Sequence, residues 1–135
     1  MFERRVNAKI KRNMKKWVDR KGYHEFEKSL EMVAEEFEVS DEQLSYFCSK
    51  VLGESFLTLR KRLRIEEAMK ILRKDREINF AALSILVGIP NKSNFRTQFR
   101  EFVGMTPAEY RQYHSLSLFG KLVFKIKKAN RPKCK

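Results

Sequence analysis

Nucleophilic, acid–base or metal chemistry calls for His, Cys or paired carboxylates at close quarters, and this 135-residue sequence offers little of that. Its histidines are His24 and His114 and its cysteines Cys48 and Cys134. No two of them have the short spacing of a zinc-ligand pair, and neither histidine has an identifiable partner that would make it a base. No glycine-rich phosphate loop is present, and the many glutamates from Glu25 to Glu42 read as a solvated face, not as an acid/base pair. No catalysis, metal or cofactor is expected. The chemistry in supply is positive charge. Lys/Arg number 30 against 17 Asp/Glu, a net of +13, which suits a polyanion such as nucleic acid or an anionic membrane face.

The placement of that charge points to the elements that bear it. Residues 1–21 hold nine Lys/Arg and two acids, and 111–135 hold eight Lys/Arg and no acid. The body between is polarised: 22–59 carries two basic and nine acidic groups, 60–110 eleven and six. Two cysteines so far apart make no disulfide framework, and the opening MFERRVNAKIKRN has no apolar signal stretch, so a reducing cytoplasm is the expected compartment. The longest apolar run, FAALSILVGI at 80–89, is half the length a bilayer span needs, so no membrane insertion is expected.

Helix formers dominate, and Pro90, Pro107, Pro132 and the glycines fall at element edges. Over 1–21, Val6, Ile10, Met14, Trp17 and Val18 form one apolar stripe on a basic helix, which is expected to pack on the body with its Lys/Arg in water. FLTLRKRLRIEEAMKILRK, 56–74, reads as a long helix that buries Leu59, Leu63, Met69, Ile71 and Leu72 and clusters Arg60, Lys61, Arg62 and Arg64 near its start. In the tail, Leu116, Phe119, Leu122, Val123 and Ile126 suit a last amphipathic helix docked on the body, although LVFKIK also alternates as a strand would. Such a basic amphipathic segment could also lie on an anionic membrane.

The sequence also repeats itself. Leu30, Val33, Ala34, Phe37 and Val39 match Phe80, Leu83, Ser84, Val87 and Ile89 at a spacing of 50. After one extra residue in the second turn the spacing is 51, where Leu44, Cys48, Leu52, Gly53, Ser55, Leu59 and Arg60 match Phe95, Phe99, Val103, Gly104, Thr106, Tyr110 and Arg111. Each copy reads as helix, tight turn, second helix, terminating glycine and a Ser/Thr cap for the next helix. That is the grammar of a helix-turn-helix. The first helix braces the second, whose apolar face (Leu44, Phe47, Cys48, Val51) is buried while its early polar residues project outward, where they can enter a major groove. Two units on one connector could present these helices about one DNA turn apart.

On these residues a family resemblance becomes specific. SLEMVAEEFEVSDEQLSYFCSKVLGESFLTLRKRLRIEEAMKIL followed by INFAALSILVGIPNKSNFRTQFREFVGMTPAEYR resembles the DNA-binding domain of the AraC/XylS family of bacterial transcription regulators. LRIEEAMKIL and FREFVGMTPAEYR are the most diagnostic parts. The resemblance implies an all-α fold of two helix-turn-helix subdomains on a long connector helix, homeodomain-like and of the AraC type. Its parts would be a basic lead-in over 1–28, a first unit over 29–55, a connector over 56–76, a second unit over 77–113 and a basic tail over 114–135. It also implies sequence-specific binding to double-stranded DNA. In the first recognition helix the family's base-facing positions fall on Glu42, Ser45 and Tyr46, with Gln43 and Lys50 nearby. In the second they fall on Lys92, Ser93, Arg96 and Thr97, with Asn94 close by and Arg100 near the backbone. Family members commonly touch RNA polymerase and carry a sensing or dimerisation domain, so both are implied partners, with the acidic face from Glu25 to Glu42 as a contact surface for the polymerase.

Some positions depart from the family pattern. Glu38 stands in the turn where Gly is common, and a left-handed backbone there costs a non-glycine residue about 1 kcal/mol, so a reshaped turn is expected. Cys48 replaces a usual Phe, which implies a looser core. Asp41 and Glu42 lead a helix that would meet phosphates, so the second unit, the connector's Arg cluster and the basic ends are expected to provide most of the affinity. A reading from another class follows from the same acids: a protein-interaction or non-specific polyanion-binding module whose first unit no longer reads bases.

Overall fold

A computed structural model of the protein describes residues 2–115 and 118–129. The helices among them are α1 (Phe2–Asp19), α2 (Leu30–Glu36), α3 (Asp41–Phe47), α4 (Phe56–Lys74), α5 (Phe80–Leu86), α6 (Lys92–Val103), α7 (Pro107–Ser115) and α8 (Leu118–Ala129), and no strand occurs among the described residues. A 3-10 turn, Gly22–His24, separates α1 from α2, and a π turn, Cys48–Leu52, continues α3. No described helix is long and apolar enough to cross a membrane.

The two repeats fold alike because their caps match. Ser29 and Asn79 cap α2 and α5, Ser40 and Asn91 cap α3 and α6, and in each case the side-chain oxygen accepts from a backbone N–H of the first turn that has no helical partner. Gly53 and Gly104 end the second helix of each unit in the left-handed conformation. With its π turn, α3 covers Asp41–Leu52, which is Lys92–Val103 moved by 51 positions.

Two apolar clusters form the interior, and α4 serves both. Phe56 and Leu59 from its first half join Ile10, Trp17, Val33, Phe37, Leu44, Phe47 and Cys48. Ile65, Ala68 and Leu72 from its second half join Leu83, Val87, Ile89, Phe95, Phe99 and Tyr110. Where the second cluster stacks Phe95, Phe99 and Tyr110, the first has Cys48 in place of a ring, and Trp17 from α1 brings aromatic volume to it, packed on Phe56 and Tyr23. Cys48 is fully buried. The basic helix α1 thus completes the first unit's core.

Burial differs from expectation at three places. The i→i+5 hydrogen bonding of the π turn under-winds the end of α3 relative to the 3.6-residue period, and Val51, expected inside, is 53% exposed. On α4 the buried set is Phe56, Leu59, Arg64, Ile65, Glu67, Ala68 and Leu72, while Leu63, Met69 and Ile71 are only partly covered. The helix lies between two cores and a crossing segment, so more than one stripe is covered. The tail is helical as α8, and Phe124 and Lys125 meet the Tyr113 ring, yet Leu122 and Ile126 are more than half exposed. Its packing on α7 leaves these two side chains in solvent. Leu116 and the Phe119 side chain lie outside the described residues.

Candidate nucleic-acid interface

The turn ahead of each outward helix sets its direction. In the second unit the turn residue is Gly88, with φ +97°, and Ile89 N–H donates to Ser84 O at 2.8 Å. In the first unit Glu38 holds the same place with φ +58°, and Val39 N–H donates to Ala34 O at 3.0 Å. The expected reshaping does not occur. Glu38 takes up the left-handed conformation, and α1 supports it: Lys9 Nζ donates to Glu38 O at 3.1 Å and pairs with its carboxylate at 3.5 Å, and Asn13 Nδ2 donates to Phe37 O at 3.4 Å.

On the outward face of α6, Lys92, Ser93, Asn94, Arg96, Thr97 and Arg100 are all exposed. Among the described residues none of their side chains makes a hydrogen bond or ion pair, whereas Phe95 and Phe99 between them anchor the helix. They form one continuous polar strip with three cations.

On α3 the five corresponding residues diverge. Glu42, Ser45 and Lys50 are exposed, with Lys50 carried on the π turn. Gln43 is half-buried, and its Oε1 accepts from Ser40 N–H at 2.9 Å in a capping box. Tyr46 is 47% exposed and stands beside Glu3 of α1, whose carboxylate charge and hydrogen bond raise the hydroxyl's pKa. Glu3, Val6 and Asn7 from α1 and Glu42, Gln43 and Tyr46 from α3 line one cleft. The N-terminal half of α1 therefore runs alongside the first outward helix.

The connector's Arg cluster is not part of this surface. Arg60 donates to Lys28 O and lies against the Phe56 ring. Arg62 pairs with Glu54 at 2.6 Å and Glu66 at 2.8 Å. Arg64 is 7% exposed, and its Nε donates to Tyr23 O at 2.5 Å. Burial and neighbouring Arg60 push the Arg64 pKa down to about 10, so it stays charged at neutral pH. Of the four, only Lys61 is free in solvent. Arg73 and Arg111 also turn inward, to Tyr110 Oη at 2.6 Å and Ile78 O at 3.0 Å. On α1, by contrast, Arg4, Arg5, Lys11, Arg12, Lys15 and Lys16 are exposed and make no ion pair among the described residues. The acidic face is partly neutralised within the chain: Glu25 and Glu36 pair with Arg20 and Lys28 at 3.0–3.4 Å, while Glu27, Glu31, Glu35, Asp41 and Glu42 have no ion pair among the described residues. Sequence reasoning missed Lys9, Asn13, Arg64 and Glu67 as supports for the two units. A glutamate at the turn position was the signal available for the first two.

Comparison with known proteins agrees with this geometry. A family model described as a helix-turn-helix domain matches residues 33–113. The C-terminal domain of AraT, a response regulator from Geobacillus stearothermophilus, is 26% identical, with 87% of this chain and 88% of that one covered and a TM-score of 0.69. The C-terminal domain of the two-component response regulator yesN from Fusobacterium nucleatum (24% identity, 73% and 98% covered, TM-score 0.65) has the same fold. So has a transcriptional regulator with an AraC-type DNA-binding domain from Chromobacterium violaceum (19%, 80% and 93%, TM-score 0.68). No curated protein matches the chain. With two capped helix-turn-helix units on one connector and a family match over most of its length, the chain belongs to the AraC-type helix-turn-helix family of DNA-binding transcription regulators.

Proposed function

We propose that the protein reads double-stranded DNA in a bacterial cytoplasm, with α3 and α6 in adjacent major-groove segments on one face of the duplex. The observation that supports this most is the strip on α6. Three cations and three short polar side chains have no partner there among the described residues, while Arg60, Arg62 and Arg64 of α4 are used inside the protein. Lys92 or Arg96 would pair with guanine edges, Ser93, Asn94 and Thr97 with several bases, and Arg100 with a phosphate. In the first unit, Ser45 and Lys50 are open to DNA, and Glu42 would accept from a cytosine amino group. The unpaired cations of α1, beside α3, supply the phosphate attraction that an acidic recognition helix lacks. Glu27, Glu31 and Glu35 offer a surface to RNA polymerase. Unchanged activation by a variant with those three charges reversed would sink that contact.

Selection of bound duplexes from a random library tests the reading. An asymmetric two-part motif is expected, with Arg96→Ala relaxing preference at particular bases by about 1–3 kcal/mol. Lys11→Ala with Arg12→Ala should instead weaken all duplexes alike and flatten the salt dependence. Uniform weakening in both cases refutes base reading by α6. Asp41, Glu42 and the engagement of Gln43 and Tyr46 within the chain favour a second reading, in which the first unit contacts protein or only positions the second. Enrichment of a single short segment would establish it.

A further inference from the structure

The segment between α1 and α2 crosses α4 and touches the second unit. We infer that Glu67 is a positioning residue, which by clasping this strap to the connector sets the separation and orientation of α3 relative to α6. The functional meaning rests on the proposed reading of DNA by those two helices.

Glu67 lies on α4 and is 8% exposed. Its Oε1 is 2.9 Å from Lys21 Nζ, its Oε2 is bonded by His24 Nε2, and the Tyr23 hydroxyl donates to the same carboxylate. Three strap residues, Lys21, Tyr23 and His24, thus converge on one side chain, and Lys21 holds a left-handed backbone (φ +59°) to allow it. One turn earlier on α4, Arg64 binds Tyr23 O and, at 3.5 Å, Glu25 O, and a further turn back Arg60 binds Lys28 O. The strap's other side meets the turn of the second unit. A Cβ on Gly88 would come within 2.5 Å of His24 O, 2.8 Å of its carbonyl carbon and 2.9 Å of its Cα, so the two backbones are in contact with no room for a methyl group. Toward the first unit, the strap is tied to α2 by the Arg20–Glu36 and Lys28–Glu36 pairs at 3.3 and 3.0 Å. A continuous path of contacts therefore runs from α2 through the strap to the turn that directs α6, and Glu67 holds its middle.

A buried carboxylate is a poor means of gaining stability, since apolar residues of similar size often serve as well. What it does provide is a fixed location for three donors. A cation on α1's end, an imidazole and a phenol must all point at one place on α4, which a greasy contact would not require. Without that anchor, Arg60 and Arg64 still hold the strap's backbone on α4, but its stretch at Lys21 and His24, which faces Gly88, loses its fixed point and the two units are related less tightly.

The test uses the full chain with nitroxide labels at Ser45→Cys and Ser93→Cys in a Cys134→Ser background, Cys48 being buried. Distance distributions between the labels are recorded for the parent, Glu67→Gln and Glu67→Ala. Unlabelled forms are then titrated with selected duplexes carrying the native spacing or one base pair more or less, which moves one half-site by about 3.4 Å and turns it by roughly 35°. The parent is expected to give one narrow distribution and Glu67→Ala a broad one. The affinity ratio between native and altered spacing should fall at least about fivefold in Glu67→Ala, because a looser pair of units tolerates the wrong register. A loss of folded protein scales all duplexes equally and leaves that ratio unmoved. If Glu67→Ala fails to fold, Glu67→Gln, which keeps the shape without the charge, carries the comparison with a smaller broadening. A distribution as narrow as the parent's in the folded variants overturns the inference. A broadened distribution from a parent that selects no two-part site upholds the clasp and overturns the DNA reading.

Discussion

Replacing Gly88 by alanine should destabilise the protein far more than the same replacement at Gly53. Both glycines hold positive φ, +97° and +78°, and a side chain in the left-handed region costs about 1–2 kcal/mol, offset by roughly 0.4–1 kcal/mol for the stiffer unfolded chain. These two effects are shared. The surroundings are not: a Cβ at Gly53 meets nothing within 4 Å, whereas at Gly88 it meets three backbone atoms of His24 at 2.5–2.9 Å. Backbone cannot rotate away, so the strap must shift by about 1 Å, an overpacking strain of roughly 1–3 kcal/mol. Gly53→Ala should therefore cost about 1 kcal/mol or less and Gly88→Ala about 2–4 kcal/mol. Thermal unfolding followed by the single tryptophan, Trp17, would show the difference as a gap of roughly 4–12 °C between the two midpoints for a domain of this size. Equal midpoints would refute the contact between the strap and the second unit.

Acid should weaken the protein through Glu67 and Glu25. Burial pushes the Glu67 carboxyl up, but the bonds from Lys21 and His24 outweigh it and hold the group below the ordinary carboxylate range. Glu25 likewise feels slight burial, overcome by Arg20 and Lys28. The unfolded chain then binds protons first, so their contribution is full above about pH 5 and is lost as pH falls through the folded values. Urea midpoints measured from pH 7 to 3 should fall more steeply for the parent than for Glu67→Gln, and parallel curves would contradict the clasp's charge. Cys48, fully buried and with its thiol pushed up to about 11 by burial and by Glu54, should resist a thiol reagent in a Cys134→Ser background until the protein unfolds. Rapid native-state labelling would show the first core to be open.

The repeat could be read from the sequence because its signals are local. Caps such as Ser40 and Asn91, the glycines at 53 and 104 and the three-and-four spacing of apolar residues each act within one turn or one helix. The strap could not be read, because its partners lie 32 to 43 positions away on α4, and nothing in Arg60, Arg64 or Glu67 marks them as inward-facing. A helical run of Arg, Lys and Glu looks like a solvated face until the segment that crosses it is known. The same holds for Glu38: its intrinsic cost argues for another turn, and only Lys9 and Asn13, some 24 to 29 residues earlier, explain why the left-handed one persists. Val51 departs from expectation for a different reason: the π turn that carries it interrupts the ideal helical period, and no local residue signals that turn. Of the candidate DNA-facing residues, the polar strip on α6 could be expected from Phe95 and Phe99 facing inward, whereas the engagement of Gln43 and Tyr46 depends on a cap and on another helix.

The division of α4 between two cores has a consequence for how the molecule comes apart. Phe56 and Leu59 belong to one apolar cluster and Ile65, Ala68 and Leu72 to the other, within a helix of 19 residues about 28 Å long. Melting either end strips side chains from a core, and a helix that loses half its length loses the hydrogen bonds that steady the rest. The two units are therefore expected to melt in one cooperative transition, and a cut in α4 is expected to yield two unfolded fragments where the outline of the repeat would suggest two small domains.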